Sequence, residues 1–526
     1  MRRYSILILL LLVFSLVFSS VVVAEGNYGG EFTGFSSTDP KSLDPAALGS
    51  WDQAVMAANV LEGLARLSPS GQSIEPGIAK SWEVSDDGLV WTFDLREDAY
   101  FHNGENITAE DVKYSFERVI NPETRSPQAW LFNKVVGYSE MRDGEAAEVS
   151  GIRVADDYTL EIELVEPLTP FVSMLASPGA AVVSKTAVEE YGDQFGQNVV
   201  SAGPFKLTNW EQNLELEMSA FEDYWAGRPY LDTLKFRFIH DENTRIIELL
   251  SGNIDWAWVT PAHHQGLTNN SVYKDSIYRV NTLHVAYFIV NMNEGPFGNN
   301  LKLRQAISYA LNRESVIDSL QGRANRAIGI FPPGFMGHDP EAPAYEYNPE
   351  KAKELLAEAG YPDGLPETYT VISLPWSNLI KILEIYQQNL RDVGINIELK
   401  PVQRGEYMSM IGEGNFDLAY GYRVADYADP DSFVYPLLHS DSIDGGGNVA
   451  FYSNDKIDNL IEEGRLETDE QERKNIYEEI NNMVQEELPY ISTTHNIWVD
   501  VMNPDVRNWQ PSAMDIHMFH RVWLAE

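Results

Sequence analysis

The chain has 526 residues, 44% hydrophobic and 11% aromatic, with no cysteine and a formal charge of −41. That length exceeds what one core usually supports, and the aromatic content argues against disorder, so at least two packed domains are expected. The charge argues against nucleic acid as a partner, and the lack of cysteine removes disulfides, thiol nucleophiles and cysteine-based zinc sites.

Acidic residues are spread along the chain rather than gathered into a tail, the pattern of a solvated surface. A high-salt habitat is expected, where counter-ions screen the self-repulsion of such a surface. The same sign of charge disfavours anionic ligands at long range.

At the N-terminus Arg2 and Arg3 precede an apolar run from Ile6 to Ala24, which ends Val22-Val23-Ala24 before Glu25. Residues 1–24 read as a secretory signal peptide, with the small residues near Ala24 favouring cleavage. An uncleaved anchor is the alternative, since about 20 apolar residues can span a bilayer. Loss of Arg2 and Arg3 with the signal takes the charge from −41 to −43. With no second apolar span, a soluble, exported protein is expected, periplasmic or extracytoplasmic and without a cysteine-linked lipid.

From Gly71 to Arg96, the positions Trp82 and Val84, then Val90, Thr92 and Asp94, alternate around a Ser85-Asp86-Asp87-Gly88 turn, which predicts a β-hairpin. Thr108 then caps a helix with acids in its first turn and a buried stripe of Val112, Phe116, Val119 and Ile120 ahead of Pro122. Further helices are predicted over 303–320, over 349–359 between Asn348 and Gly360, and over 455–487, with charged outer faces. Between Asn378 and Phe433 the pattern predicts a helix on the Leu379, Leu383, Tyr386, Leu390 and Val393 face. A strand through Ile395, Ile397 and Leu399 follows, then a short helix from Glu406 to Ile411 and a strand from Phe416 to Tyr422. Strand, helix, strand implies a parallel pair in a helix-covered sheet. Ligands bind beyond the carboxyl ends of such strands, where Arg423 to Pro430 forms a loop. Gly445-Gly446-Gly447 is also a loop.

Catalytic patterns find no support. Ser271-Val272-Tyr273-Lys274 has Ser-x-x-Lys spacing without its companion motifs, and neither Gly-x-Ser-x-Gly nor His-Glu-x-x-His occurs. His263-His264 reads as loop surface rather than a metal site, and Asp441 to Asp444 lacks the calcium-loop ligand series. No enzyme activity, cofactor or metal is expected.

Several segments together resemble the dipeptide- and oligopeptide-binding receptors of ABC importers, the family 5 solute-binding proteins. They are Ser42-Leu43-Asp44-Pro45, Leu61-Glu62-Gly63-Leu64, Trp91-Thr92-Phe93, Phe101-His102-Asn103-Gly104 through Asp111-Val112, Gly203-Pro204-Phe205, Asn253-Ile254-Asp255, Arg304-Gln305-Ala306-Ile307 and Ala425-Asp426-Tyr427. Their order and spacing cover nearly the whole mature chain. The resemblance implies an α/β two-lobed clamshell with an additional β-rich domain. The first lobe would comprise 25–66, 196–285 and 498–526, the inserted domain 67–195 and the second lobe 286–497. It also implies a monomeric receptor that passes short peptides to a membrane-embedded ABC permease, closing on a hinge at the two crossings.

For the site, the resemblance assigns Asp426 to the ligand's α-ammonium, with backbone groups extending the peptide as an added strand. Asp429 and Asp431 compete for that role, although Asp429, ahead of Pro430, reads as a turn former. This chain also departs from the family. Tyr420 stands where an arginine can occur, near Tyr422 at the strand end, and Asn378 beside Trp376 replaces a cationic helix start. Arg404 replaces a stacking aromatic. Arg404 or Arg423 would therefore take the ligand carboxylate. Trp51, Gln128 and Trp130 fall where relatives line the pocket, and their rings keep an oligosaccharide open as the rival ligand, ahead of nickel or another small solute.

Overall fold

The computed structural model describes residues 26–443 and 447–525. The expected signal segment 1–24, Asp444, and Gly445 and Gly446 of the expected glycine loop lie outside the described residues. Among the described residues no helix is long and apolar enough to cross a membrane.

Three sheets carry the architecture. The first orders its strands Glu31–Ser36, Thr233–Phe238, Glu215–Ala220 and Phe205–Glu211, the first pair parallel and the rest antiparallel. Leu234, Phe236 and Phe238 alternate inward from Thr233–Phe238 and join Phe32, Phe35, Trp256 and Phe519 in one core. The second sheet is antiparallel, with Ala79–Val84, Val90–Leu95, Thr159–Glu163 and Ile152–Asp156 in that order. It contains the expected hairpin, and Gly88 takes the positive φ (73°) of its turn. The residues turned inward are Trp91, Phe93 and Leu95, opposite in phase to Val90, Thr92 and Asp94. Helix Ala109–Ile120 covers this sheet, opened by a reciprocal Thr108–Asp111 capping box and burying Val112, Phe116, Val119 and Ile120.

The third sheet runs Trp256–Trp258, Tyr490–Met502, Ile277–Val290, Leu418–Val424, Thr368–Ser373 and Asn396–Pro401. Leu418–Val424 and Asn396–Pro401 are both parallel to Thr368–Ser373. The expected parallel pair therefore shares a sheet but is separated by a strand that precedes both in sequence. Helix Ser377–Asp392 connects the central strand to its edge neighbour and buries Leu383, Tyr386 and Leu390.

Two helices predicted as continuous are each two. Leu301–Ala310 and Arg313–Ser319 are parted at Leu311, and Asn312 caps the second through the Ser315 N–H. Asp455–Leu466 and Glu470–Glu487 are parted at Glu467, with Asp469 capping the N–H groups of Gln471 and Glu472. In both cases a short polar side chain competes for the backbone and restarts the helix. His263 and His264, expected in a loop, lie on helix Pro261–Thr268.

The two longest strands, Ile277–Val290 and Tyr490–Met502, pass from the first core into the second lobe. Their pairing shifts register between Asn281/Ile497 and Val285/His495. Across this break Leu283 donates its N–H to Ala513 and accepts from Ala425. A joint with few ladder bonds is where rotation between lobes costs least.

Asp500, on the same long strand, is fully buried. One carboxylate oxygen accepts the Trp256 indole N–H at 2.8 Å, and the other has no partner. Burial pushes its pKa up to about 7, against the opposing Arg323 charge. A carboxyl raised in the folded state favours folding fully below its unfolded value and loses that contribution as pH climbs through the folded one. Asp500→Asn, which keeps an acceptor for Trp256, is therefore expected to flatten the fall in melting temperature between about pH 4 and about pH 7. An unchanged slope would show that Asp500 does not titrate there.

Candidate ligand-binding cleft

The carboxyl ends of the three parallel strands lie on one edge of the third sheet, and the loop leaving Leu418–Val424 is folded tightly there. The Asp426 N–H donates to Ser432 Oγ at 2.7 Å. Arg423 donates through Nε and Nη2 to the Ser432 carbonyl at 3.0 and 2.7 Å, and through Nη2 to the Asp426 carboxylate. The Asp426 side chain remains 46% exposed. It is an anion held in place from one side and open on the other.

Below it lies a buried ionic layer. Asp429 accepts both Nη groups of Arg473 at 2.7 and 2.8 Å, and its Oδ1 accepts the Asp431 N–H at 3.0 Å. Asp431 accepts the Tyr427 hydroxyl at 2.7 Å and sits 3.2 Å from Arg465 Nε. Burial pushes the Asp431 carboxyl up, against Arg465. Asp429 and Asp431, expected as competitors of Asp426, are buried and engaged by arginines. Asp429 does form a turn ahead of helix Asp431–Leu438, but its larger contact is the one with Arg473.

A cleft of about 350 Å³ opens beside Asp426. One wall comes from the first lobe with Trp51, Met514 and Ile516. A second comes from the inserted segment with Gln128, Trp130 and Pro178, and the third is Val424 to Tyr427. Trp51, Gln128, Trp130 and Asp426, which are distant in sequence, thus line one cavity. The Tyr427 ring packs 6.3 Å from Trp130 and enters the core of the second sheet, and the Thr169 N–H donates to the Arg465 carbonyl at 2.8 Å. The two bodies therefore touch directly beside the cleft.

The remaining expected residues lie elsewhere. Tyr420 is 2% exposed in the core between sheet and helices, its hydroxyl 2.9 Å from Thr493 Oγ1 and its pKa pushed up to about 12 by burial. It does not line the cleft, because the strand's alternation turns it inward. Tyr422 is half-buried, 5.0 Å from His284 and 5.7 Å from Trp376. Trp376 is 47% exposed, and Asn378 is exposed in the first turn of helix Ser377–Asp392. Arg404 is exposed at the start of helix Arg404–Gly412, and its charge opposes the rise that burial imposes on the Tyr422 phenol. Together they form a rim at the strand ends, apart from the cavity. Arg423 braces Asp426 through Nη2 and is not among the residues that line the cavity.

Sequence reasoning missed Leu67, Ala176, Met514 and Ile516 as lining residues. Leu67 ends a three-residue strand and the other three lie outside helices and strands, segments too short or irregular to carry a periodic signal. Among the described residues, no group of three histidine, cysteine or acidic side chains is placed to hold a metal ion.

Residues 73–445 match the model of the bacterial extracellular solute-binding proteins, family 5, middle region. The chain belongs to that family. The solute-binding protein is 27% identical to di/tripeptide-binding protein 2 of Pseudomonas aeruginosa, over 92% of this chain and 93% of the relative. It is 30% identical to the glutathione-binding protein GsiB of Salmonella typhi, over 91% and 89%, and 28% identical to heme-binding protein A of Haemophilus influenzae, over 88% and 86%. Among solved structures, the periplasmic binding protein DppA from Helicobacter pylori, in complex with the peptide STSA, superposes with a TM-score of 0.77. It shares 26% identity, and the match covers 95% of this chain and 99% of that one. The two-lobed α/β architecture expected from the resemblance is thus that of this solute-binding protein.

Proposed function

We propose that this solute-binding protein captures short peptides by their free α-ammonium at Asp426 and delivers them to an ABC-type import permease. The observation that carries the reading is the geometry of Asp426, a carboxylate braced by Arg423 and Ser432 and facing a cleft bounded by both lobes and the inserted segment. An ammonium leaving water needs an anion, and a charge-assisted hydrogen bond at a pre-oriented carboxylate supplies it. Arg423 positions Asp426, and Arg404 at the rim is the cation free to meet the ligand carboxylate. The peptide-binding roles in the names of the relatives support this reading.

The same proposal includes an exported, monomeric receptor without catalytic activity, divided into 25–66, 196–285 and 498–526 for one lobe, 286–497 for the other and 67–195 for the insert. The register break at 281–285 and 495–497 supports the crossing between the lobes, and the separate cores follow the division in outline, with Ala181, Val183, Ala187 and Phe195 of the insert packed in the first core and Ala513 and Met514 of the first lobe in the third. A second reading, an oligosaccharide ligand, is favoured by Trp51 and Trp130 in the walls.

Calorimetric titration with di- and tripeptides, their N-acetylated forms and β-linked oligosaccharides separates the two. Free-amine peptides are expected to bind and acetylation to abolish binding; sugars binding in place of peptides would reassign the ligand. For the acidic surface, the melting temperature is expected to rise between low and molar salt as screening relieves self-repulsion. A flat or falling curve would remove the high-salt habitat from the proposal.

A further inference from the structure

The hydrogen-bonding groups in the cleft walls are largely committed to the protein itself. The Trp51 indole N–H donates to the Asp515 carbonyl at 2.8 Å. The Gln128 amide donates to the Leu48 carbonyl at 2.7 Å. The Tyr427 hydroxyl donates to Asp431 at 2.7 Å. The Ser50 hydroxyl donates to Gln53 at 3.2 Å, and Ser177 Oγ accepts the Gly179 N–H at 3.3 Å. The Trp51 and Tyr427 rings, with their polar ends so engaged, line the cavity alongside Leu67, Trp130, Met514 and Ile516. The one ionisable group with a charge at neutral pH among the lining residues is Asp426.

We infer that the cleft selects peptides whose side chains are apolar, aromatic ones above all, and rejects peptides with acidic side chains. The inference rests on the peptide reading above and names the substrate class within it. An apolar side chain entering this cavity covers Trp51 and Trp130 and gives up little hydration. An acidic one gives up its water, meets walls that carry no cation and in which the Trp51 and Tyr427 donors are already engaged, and brings a second negative charge toward Asp426. Arg423 does not line the cavity, and its Nε and Nη2 are already taken by Ser432 and Asp426. Arg404 stands on the rim beside Tyr422 and not among the lining residues, and its proposed role is with the ligand's terminal carboxylate. A cavity of about 350 Å³ is near the lower end of small-molecule sites, about 300–1,000 Å³, which suits two or three residues. Glutathione, a γ-linked tripeptide with two carboxylates and one ammonium, falls in the rejected class, although a relative is named for binding it.

The test is calorimetry of the full mature protein with Phe-Leu, Leu-Leu, Glu-Leu, Glu-Glu, glutathione and N-acetyl-Phe-Leu. Phe-Leu is expected to bind about 100-fold more tightly than Glu-Glu or glutathione. Glu-Glu or glutathione within threefold of Phe-Leu would overturn the selectivity while leaving Asp426 capture standing. N-acetyl-Phe-Leu binding as well as Phe-Leu would overturn the capture, and with it this inference. Trp130 is 37% exposed, so Trp130→Lys is compatible with folding and provides a readout that mere structural damage would not give. It is expected to lose about tenfold for Phe-Leu and gain for Glu-Leu. Equal losses for both peptides would assign Trp130 to structure and overturn its place in selection.

Discussion

Asp426→Asn is expected to weaken binding of free-amine di- and tripeptides by between 10- and 100-fold. A hydrogen bond to a charged group contributes about 1.5–3 kcal/mol, and about 1.4 kcal/mol is a tenfold change in affinity. The larger losses seen when fully buried charge pairs are broken do not apply to a side chain 46% exposed. The substitution also removes the charge paired with Arg423, but Asn Oδ1 can still accept from that guanidinium and the backbone N–H that ties this residue to Ser432 is retained. Melting temperature should therefore stay within a few degrees. N-acetyl peptides, which lack the ammonium, should bind equally weakly to both proteins, so the two losses are not additive. Full affinity in the Asn variant would move the ammonium site elsewhere.

Arg473→Met is expected to destabilise the second lobe by about 3–5 kcal/mol, read as the shift of its urea transition. The reason is the state of Asp429, which is 5% exposed and receives two hydrogen bonds from that guanidinium. Without them a carboxylate is left buried beside Asp431, whose own charge keeps Arg465 and the Tyr427 hydroxyl but also loses Arg473. Joint replacement, Asp429→Leu with Arg473→Met, should recover much of the loss, because removing both charges removes the desolvation cost with the attraction. Because the Asp429 turn sets the loop carrying Asp426, the single variant should also weaken peptide binding, and a variant with unchanged stability would show the pair to be dispensable.

These two residues mark how far the site was legible in advance. Asp426 lay in an Ala-Asp-Tyr segment at a strand end, where local pattern and resemblance agree. Asp429 read as a turn former, which it is, but no local pattern pairs it with Arg473, 44 positions away. Tyr420 and Tyr422 show the same limit within one strand. Both were placed at the site because both sit near its end, yet Tyr420 faces the helices and hydrogen-bonds Thr493 while Tyr422 reaches the rim. Arg423 read as a ligand cation, but its partners are Asp426 and Ser432.

By itself the sequence determined the elements in which capping residues and hydrophobic period agree, such as the helix begun by Thr108 and the one begun by Asn348. It also determined the α/β character, through the strand, helix, strand succession after Asn378, and the family, through ordered motifs along the chain. Only the tertiary structure decided that Thr368–Ser373 lies between the two later strands, that the helices break at Leu311 and Glu467, and that Met514 and Ile516 meet Trp130 across one cavity. The physical reason is range. Caps and periodicity act over a few residues and leave a local trace, whereas strand order, ion pairing and cavity walls are set by packing between segments far apart in the chain, where many apolar sequences satisfy the same contact.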